Sequence, residues 1–315
     1  MGAYLIRRFI QSVITLFIIS VVTFGLIHAA PGGPGILLDP NLSPEDRTRM
    51  SQSLGLDQPI PVQYWKWLGN LFQGDFGQSL MQKSGVLTVI GERLPATIEL
   101  AGVGLVLAVV VGVPLGLIAA LKSNSIIDRL IQVVATLGLA VPGFWLAILL
   151  IIVFSVQLNW LPSAGRFTIG ESSLADRISH LVLPSLVIGL YSLAQLTYYT
   201  RSSMLEVLRA DYIRTARTKG LNEHVIMYRH ALKNGLIPVV TMVGLMLPRL
   251  IGGAVITETV FGWPGIGRLA ADAAFQRDYP LIMGITMVVS VVVILCNFLT
   301  DLAYSVVDPR IRLVD

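Results

Sequence analysis

Six apolar stretches, each about twenty residues long or slightly more, constrain this chain of 315 residues more than any other feature. They cover residues 9–30, 97–121, 130–156, 181–200, 235–257 and 279–299. A helix of about twenty residues crosses a hydrocarbon layer of about 30 Å, and backbone groups in lipid must be paired within the segment. Charged residues make up only 13% of the chain, which excludes a disordered protein, a coiled coil and an ordinary cytosolic enzyme. We therefore predict an all-α integral membrane protein with six transmembrane helices.

Two of these spans have features of their own. The first follows Arg7 and Arg8 and is longer than the 7–15 apolar residues typical of a signal-peptide core, which favours an uncleaved anchor. Pro142 and Gly143 interrupt the third span and predict a kink there.

The distribution of charge predicts the orientation of the spans. The net charge is +4, from 23 basic and 19 acidic residues. If both termini are cytoplasmic, the inner segments hold thirteen basic and seven acidic residues, whereas the outer loops hold nine and eleven. The opposite orientation would violate the positive-inside rule. We therefore interpret the basic excess as a topology signal at the membrane rather than as a nucleic-acid surface, and expect cytoplasmic N- and C-termini.

The unequal loops divide the predicted chain into three parts. Residues 1–30 form an N-terminal tail and the first span, and residues 31–94 form a long external region. That region is long enough for a small helical cap but short for an independently stable domain. Residues 95–315 form a core of five further spans, which includes a cytoplasmic loop at residues 201–234.

The cytoplasmic loop has the pattern of two short helices. Leu205, Leu208, Tyr212 and Ala216 recur at steps of three or four and predict one apolar helix face. Gly220 suits a helix stop because it tolerates positive φ. Asn222 then suits the N-cap of the next helix. Two interpretations stay open here: an amphipathic hairpin held by anionic lipid, or a docking element for a cytoplasmic partner.

Several polar side chains are predicted inside the spans. Gln195, Tyr198 and Tyr199 make the inner half of the fourth span polar, either for hydrogen bonding between helices or for a translocation path. Arg249 in the fifth span could snorkel outward, pair with Glu258 or meet a peptide carboxylate. We name Gln195, Tyr198, Tyr199 and Arg249 as candidate path residues.

The sequence carries no motif for covalent chemistry. It lacks the Gly-x-x-x-x-Gly-Lys-[Ser/Thr] phosphate loop, its four histidines are scattered, and its one cysteine, Cys296, lies in an apolar stretch. We predict no catalytic residue, no metal site and no cofactor, so any ATP hydrolysis would reside in a separate partner subunit.

The loop sequence resembles the permeases of ATP-binding-cassette importers. The run from Asp211 to Leu221, the run from His230 to Asn234 and the run from Glu258 to Leu269 together are similar to the dipeptide/oligopeptide/nickel subfamily, in the form of its first permease subunit. The subfamily's Glu-Ala-Ala triplet, followed by three residues and Gly, is matched only at Ala216 and Gly220.

This resemblance implies a type I importer permease in the cell inner membrane, with a cytoplasmic coupling helix between spans four and five. It implies four kinds of neighbour: a second, related permease that forms a heterodimer with this chain, two cytoplasmic ATPases, an external solute-binding protein and membrane lipid. The ATPase-coupling residues would be Asp211, Tyr212, Arg214, Thr215, Ala216, Lys219 and Gly220.

Two other functions stay open at this point. An ion-gradient-driven secondary transporter would be expected to show an inverted repeat and intramembrane acids, neither of which is evident. A membrane scaffold would not require the organised basic loop. The solute is also open among dipeptides, longer peptides, glutathione, nickel chelates and some sugars.

Overall fold

The computed structural model describes residues 2–38, 40–171 and 173–307, and most of these residues are helical. Asp308, Arg310, Arg312 and Asp315, which entered the charge count above, lie outside the described residues. The helices are α1 (Gly2–Ala29), α2 (Pro44–Ser53), α3 (Ile60–Phe72), α4 (Val86–Leu107), α5 (Val113–Leu121), α6 (Ile126–Ala140), α7 (Gly143–Leu150), α8 (Leu174–Arg209), α9 (Asp211–Thr218), α10 (Glu223–Val225), α11 (Leu232–Gly235), α12 (Ile237–Val260), α13 (Ile266–Gln276) and α14 (Tyr279–Val307).

Five helical stretches in the described chain are long and apolar enough to cross a membrane, and a bent pair supplies a sixth. The five cover Ile6–Ala29, Val86–Leu121, Leu174–Arg209, Glu223–Leu250 and Tyr279–Asp301. The predicted all-α membrane fold is therefore confirmed, with five or six crossings according to how the bent pair is counted.

The third predicted span is broken rather than kinked. Helices α6 and α7 meet at an angle of 102°. Val141, with ψ of 123°, and Pro142, with ψ of 130°, are both extended. Proline lacks an amide hydrogen and disfavours the helical conformation of the residue before it, so α6 ends at Ala140 and a new helix begins at Gly143.

The chain separates into two compact units. The first consists of residues 1–96 and 264–294, and the second of residues 97–263 and 295–315. In the first unit, one buried core joins the start of α4 to α13 and α14 through Val86, Ile90, Leu269 and Leu281. Helices α2 and α3 also belong to this unit.

The second unit is built around α8. In its most apolar window, 61% of the residues are buried. Its neighbours approach it closely at Gly112 and Gly116, where a Cβ atom would lie 2.7 Å from the Leu193 carbonyl oxygen and 2.5 Å from the Thr197 carbonyl oxygen, respectively. At 36 residues, or about 54 Å, α8 is longer than a span and extends beyond the hydrocarbon layer.

Candidate functional site

Helix α9 occupies the centre of the predicted coupling loop. It begins after Ala210, whose ψ of 146° interrupts the helical path at the end of α8. It ends at Thr218, and Gly220 follows two residues later with φ of +75°, the positive φ expected of the residue that stops the helix. The amide of Gly220 donates to the Arg217 carbonyl oxygen at 2.9 Å, and the amide of Leu221 donates to the Ala216 carbonyl oxygen at 3.3 Å. These bonds form a Schellman-type stop that depends on glycine.

The prediction of one continuous apolar helix face through this loop is wrong in one respect. Leu205 and Leu208 lie on α8, whereas Tyr212 and Ala216 lie on α9, because the helix breaks at Ala210. Both helices nevertheless contribute side chains to one apolar cluster, so the loop folds around a shared core.

Helix α9 has a buried face and an exposed face. Ile213 and Ala216 are buried and pack with Met204, Ile226 and Ala231. Six of the seven predicted coupling residues are exposed: Asp211, Tyr212, Arg214, Thr215, Lys219 and Gly220. The exception is Ala216, whose small side chain permits close packing within this chain.

Polar contacts fix α9 against the segment that follows it. Arg217 Nε donates to Glu223 Oε1 at 2.8 Å, and Asn234 Nδ2 donates to the Tyr212 hydroxyl at 3.2 Å. The predicted N-cap is confirmed, because Asn222 Oδ1 accepts from the His224 amide at 2.9 Å. The following helix contains a π-helical segment at Ile226–Ala231 before it reaches Gly235.

The candidate path residues divide into separate groups. Gln195 Nε2 donates to the Tyr191 hydroxyl at 3.2 Å, and the Arg249 guanidinium lies 5.6 Å from the centre of the same ring. Tyr191, which the sequence analysis did not select, therefore joins Gln195 to Arg249. Glu258, the predicted partner of Arg249, is instead buried and accepts from the Thr97 hydroxyl at 2.7 Å.

The two other path candidates have different surroundings. The Tyr198 hydroxyl donates to the Gln132 carbonyl oxygen at 3.1 Å and also contacts the Thr136 hydroxyl. Tyr198 thereby ties α8 to α6. The neighbouring Tyr199 is exposed on another side of α8.

Two ion clusters were missed by the sequence analysis. Asp128 at the start of α6 binds Arg201 on α8 through two hydrogen bonds of 2.7 and 2.8 Å. Glu99 on α4 accepts from Arg166 Nε at 2.9 Å and from Arg177 Nε at 2.6 Å. Within the described residues, no group of three or more His, Cys, Asp or Glu side chains is arranged to hold a metal ion.

The fold is similar to that of a solved importer. The inward-facing methionine ABC transporter MetNI matches with a TM-score of 0.56 and 16% identity, over 70% of this chain and 97% of the other. The chain thus shares its fold with the permease of this importer. Residues 112–313 match the family described as binding-protein-dependent transport system inner membrane component, and residues 1–101 match its N-terminal family. The chain belongs to this binding-protein-dependent transport permease family.

Close relatives cover the whole chain. The oligopeptide transport system permease protein AppB of Bacillus subtilis is 46% identical over 99% of this chain and 100% of its own length. The dipeptide transport system permease protein DppB of Alkalihalophilus pseudofirmus is 40% identical over 99% and 100%, respectively. The chain is thus a multi-pass inner-membrane permease of a binding-protein-dependent importer, rather than a gradient-driven transporter or a scaffold.

Proposed function

We propose that this chain is the first permease subunit of an ATP-driven peptide importer. Peptides are its solute, by analogy with the oligopeptide and dipeptide transport system permeases that match along the full length. The partners of this chain are a non-identical second permease, two cytoplasmic ATPases and an external binding protein. Both termini are cytoplasmic. Residues 31–94 are external and lie between the segment with the first span, residues 1–30, and the permease core, residues 95–315.

The ATPase contact is the exposed face of α9, and the division of that helix into two faces is the observation that carries the proposal. Ile213 and Ala216 anchor the helix in its own chain, which leaves Asp211, Tyr212, Arg214, Thr215, Lys219 and Gly220 available to a partner. A displacement of a helix held in this way also displaces the apolar cluster packed against it, because packed interiors move as discrete units. Closure of the ATPase pair on ATP would therefore shift α9 and, through the shared apolar cluster, α8.

Charge reversal on the exposed face tests this contact. In proteoliposomes containing the complete transporter, Arg214→Glu is expected to lower ATP-dependent uptake of a labelled dipeptide about 10-fold or more, the effect of losing one charge-assisted hydrogen bond. Lys122→Glu is the matched control, since Lys122 is an exposed cation on the turn before α6. Gly220→Pro should also uncouple, because it removes the amide donated to Arg217. Normal uptake in both Arg214→Glu and Gly220→Pro would refute this assignment.

We place the translocation path along the polar inner half of α8, with Gln195, Tyr198, Tyr199 and Arg249 as contributors. The support is the contact of Gln195 and Arg249 with Tyr191, which orients two hydrogen-bonding groups from different helices. Arg249→Ala, in a complex that assembles and hydrolyses ATP normally, should reduce peptide uptake. Tyr191→Phe retains the ring beneath Arg249 and removes only the hydroxyl bound by Gln195, so it should have a smaller effect. Unchanged uptake in Arg249→Ala would remove this residue from the path.

A further inference from the structure

The first compact unit contains a cavity of about 810 Å³. Its floor is apolar and buried, with Phe24, Met283 and Tyr279 all less than a tenth exposed. His28 stacks on Phe24 at 4.0 Å between ring centres and meets Tyr279 edge-on at 5.3 Å, while Trp67 lies 6.1 Å from Phe24. This volume lies within the range of about 300–1,000 Å³ that small-molecule sites occupy.

Helix α3 supplies the polar wall of the cavity. Gln63, Lys66, Trp67 and Asn70 line it, and their spacing of three and four residues places them on one helix face. A different face, which includes Tyr64 and Leu68, packs into a core with Phe24 and Met283. The polar side chains Gln63, Lys66 and Asn70 therefore line the cavity beside the apolar core that forms its floor.

Two buried polar atoms on the cavity wall have no hydrogen-bond partner among the described residues. They are the Tyr279 hydroxyl and Gln58 Oε1. Buried polar groups are nearly always paired, since leaving one unpaired costs free energy. A hydroxyl that can donate and a carbonyl that can accept together fit a ligand that carries both hydrogen-bond acceptors and donors.

The charged groups of the cavity are mainly positive. Lys66 and Lys83 line it, and the described residues provide neither ammonium with a carboxylate partner within ion-pair distance. Asp75 is the acidic side chain among the lining residues, and its Oδ1 already accepts from the Gly77 amide at 2.8 Å. The surplus of cations favours a ligand with a carboxylate.

We propose that this cavity binds the carboxyl-terminal end of a short peptide. The carboxylate lies at Lys66 and Lys83, a peptide carbonyl accepts from the Tyr279 hydroxyl, and a peptide amide donates to Gln58 Oε1. An apolar side chain of the peptide covers the Phe24–Met283 floor. A lipid acyl tail has no groups to satisfy the two unpaired atoms. The inference rests on the proposed function in taking peptides as the solute, and adds a receiving site on the N-terminal unit.

Peptide binding to the purified full-length chain in detergent tests this site. The probe is Ala-Leu-Phe labelled with fluorescein at its N-terminus, and its binding is measured by fluorescence anisotropy. The same peptide with an amidated C-terminus is the control ligand, since it lacks the carboxylate. The free acid should bind about 10-fold more tightly than the amide. Tyr279→Phe should weaken binding of the free acid about 3- to 10-fold, and Lys83→Gln about 10-fold. Lys122→Gln, outside the cavity, should leave binding unchanged.

Several results would overturn the site. Equal affinity for acid and amide, or unaltered binding in both Tyr279→Phe and Lys83→Gln, would contradict it. Displacement of the probe by phosphatidylglycerol bicelles but not by unlabelled Ala-Leu-Phe would assign the cavity to lipid. Gln58→Leu, which removes the second unpaired atom, provides an independent variant if Tyr279→Phe does not fold. If the complete transporter takes up peptides normally but the probe does not bind in this cavity, the cavity site alone is rejected. If the complete transporter takes up no peptide, the proposed function is rejected.

Discussion

Asp128 and Glu99 are both carboxylates held by arginine, but the two clusters differ in charge balance and solvent access. Asp128 is 2% exposed in its side chain and meets one guanidinium, that of Arg201, through both oxygens. The Gln132 amide at 2.8 Å and the Asn124 backbone amide at 2.9 Å complete its hydrogen bonds. Charge and hydrogen-bonding capacity are thus matched inside this cluster.

Glu99 instead accepts hydrogen bonds from two guanidinium groups. Arg166 and Arg177 both donate to it, and the Arg177 side chain is 46% exposed. The cluster keeps one positive charge in excess and remains partly open to solvent. The Asp128 pair is therefore a closed structural tie between α6 and α8, whereas the Glu99 carboxylate would keep one arginine partner if the other were lost.

The largest effect is expected from Asp128→Ala. This variant leaves Arg201 without its carboxylate at a site where only 20% of the arginine side chain is exposed. Removing one partner of a buried ion pair lowers the free energy of unfolding by about 3–5 kcal/mol. Because Arg201 keeps some exposure to solvent, we expect a loss near the lower end of that range. Denaturant unfolding of the detergent-purified chain, followed by circular dichroism, measures the loss in free energy of unfolding.

The double variant Asp128→Leu/Arg201→Leu is the control for this pair. Replacing both partners removes the unpaired charge as well as the attraction, so the double variant should be more stable than Asp128→Ala. A loss below about 1 kcal/mol in Asp128→Ala would show that the pair is not a tie between the helices.

An intermediate effect is expected from Glu99→Gln. The substitution keeps one acceptor and the side-chain shape but removes the charge that holds two arginines. We expect a loss of about 1–2 kcal/mol, because hydrogen bonds to charged groups contribute about 1.5–3 kcal/mol and this cluster is partly solvated. Arg177→Gln should cost less than Glu99→Gln, because Arg166 still binds the carboxylate. The same unfolding measurement ranks the two variants, and a greater loss in Arg177→Gln would reverse the comparison.

The sequence was sufficient for features that depend on local chemistry. The spans follow from apolar length, and the stop at Gly220 and the cap at Asn222 follow from backbone preferences within a few residues. Each of these predictions used one short segment and one physical rule.

The features that were missed join distant segments. Arg201 lies 73 residues from Asp128, and Arg166 lies 67 residues from Glu99, so no periodicity in one segment relates them. The sequence predicted a kink at Pro142 but not the 102° break between α6 and α7, because the size of a bend depends on what surrounds it, not on proline alone. Ala216 fits the family signature at its position, but only the packing with Ile213 and Met204 reveals that it faces its own chain.

The smallest effect on stability is expected from Arg217→Ala. Its partner Glu223 is 63% exposed and Arg217 is 44% exposed, although Nε and Oε1 are only 2.8 Å apart. Exposed pairs of this kind contribute about 0.2–1 kcal/mol, and salt screens them. The free energy of unfolding should therefore fall by less than in either cluster above, and the difference from the unaltered chain should shrink further at high salt. A salt-independent loss as large as that of Asp128→Ala would mean that burial does not separate these pairs. If stability is retained while ATP-dependent uptake falls, the effect of Arg217 lies in contact with a partner, because the fold of α9 would then be intact.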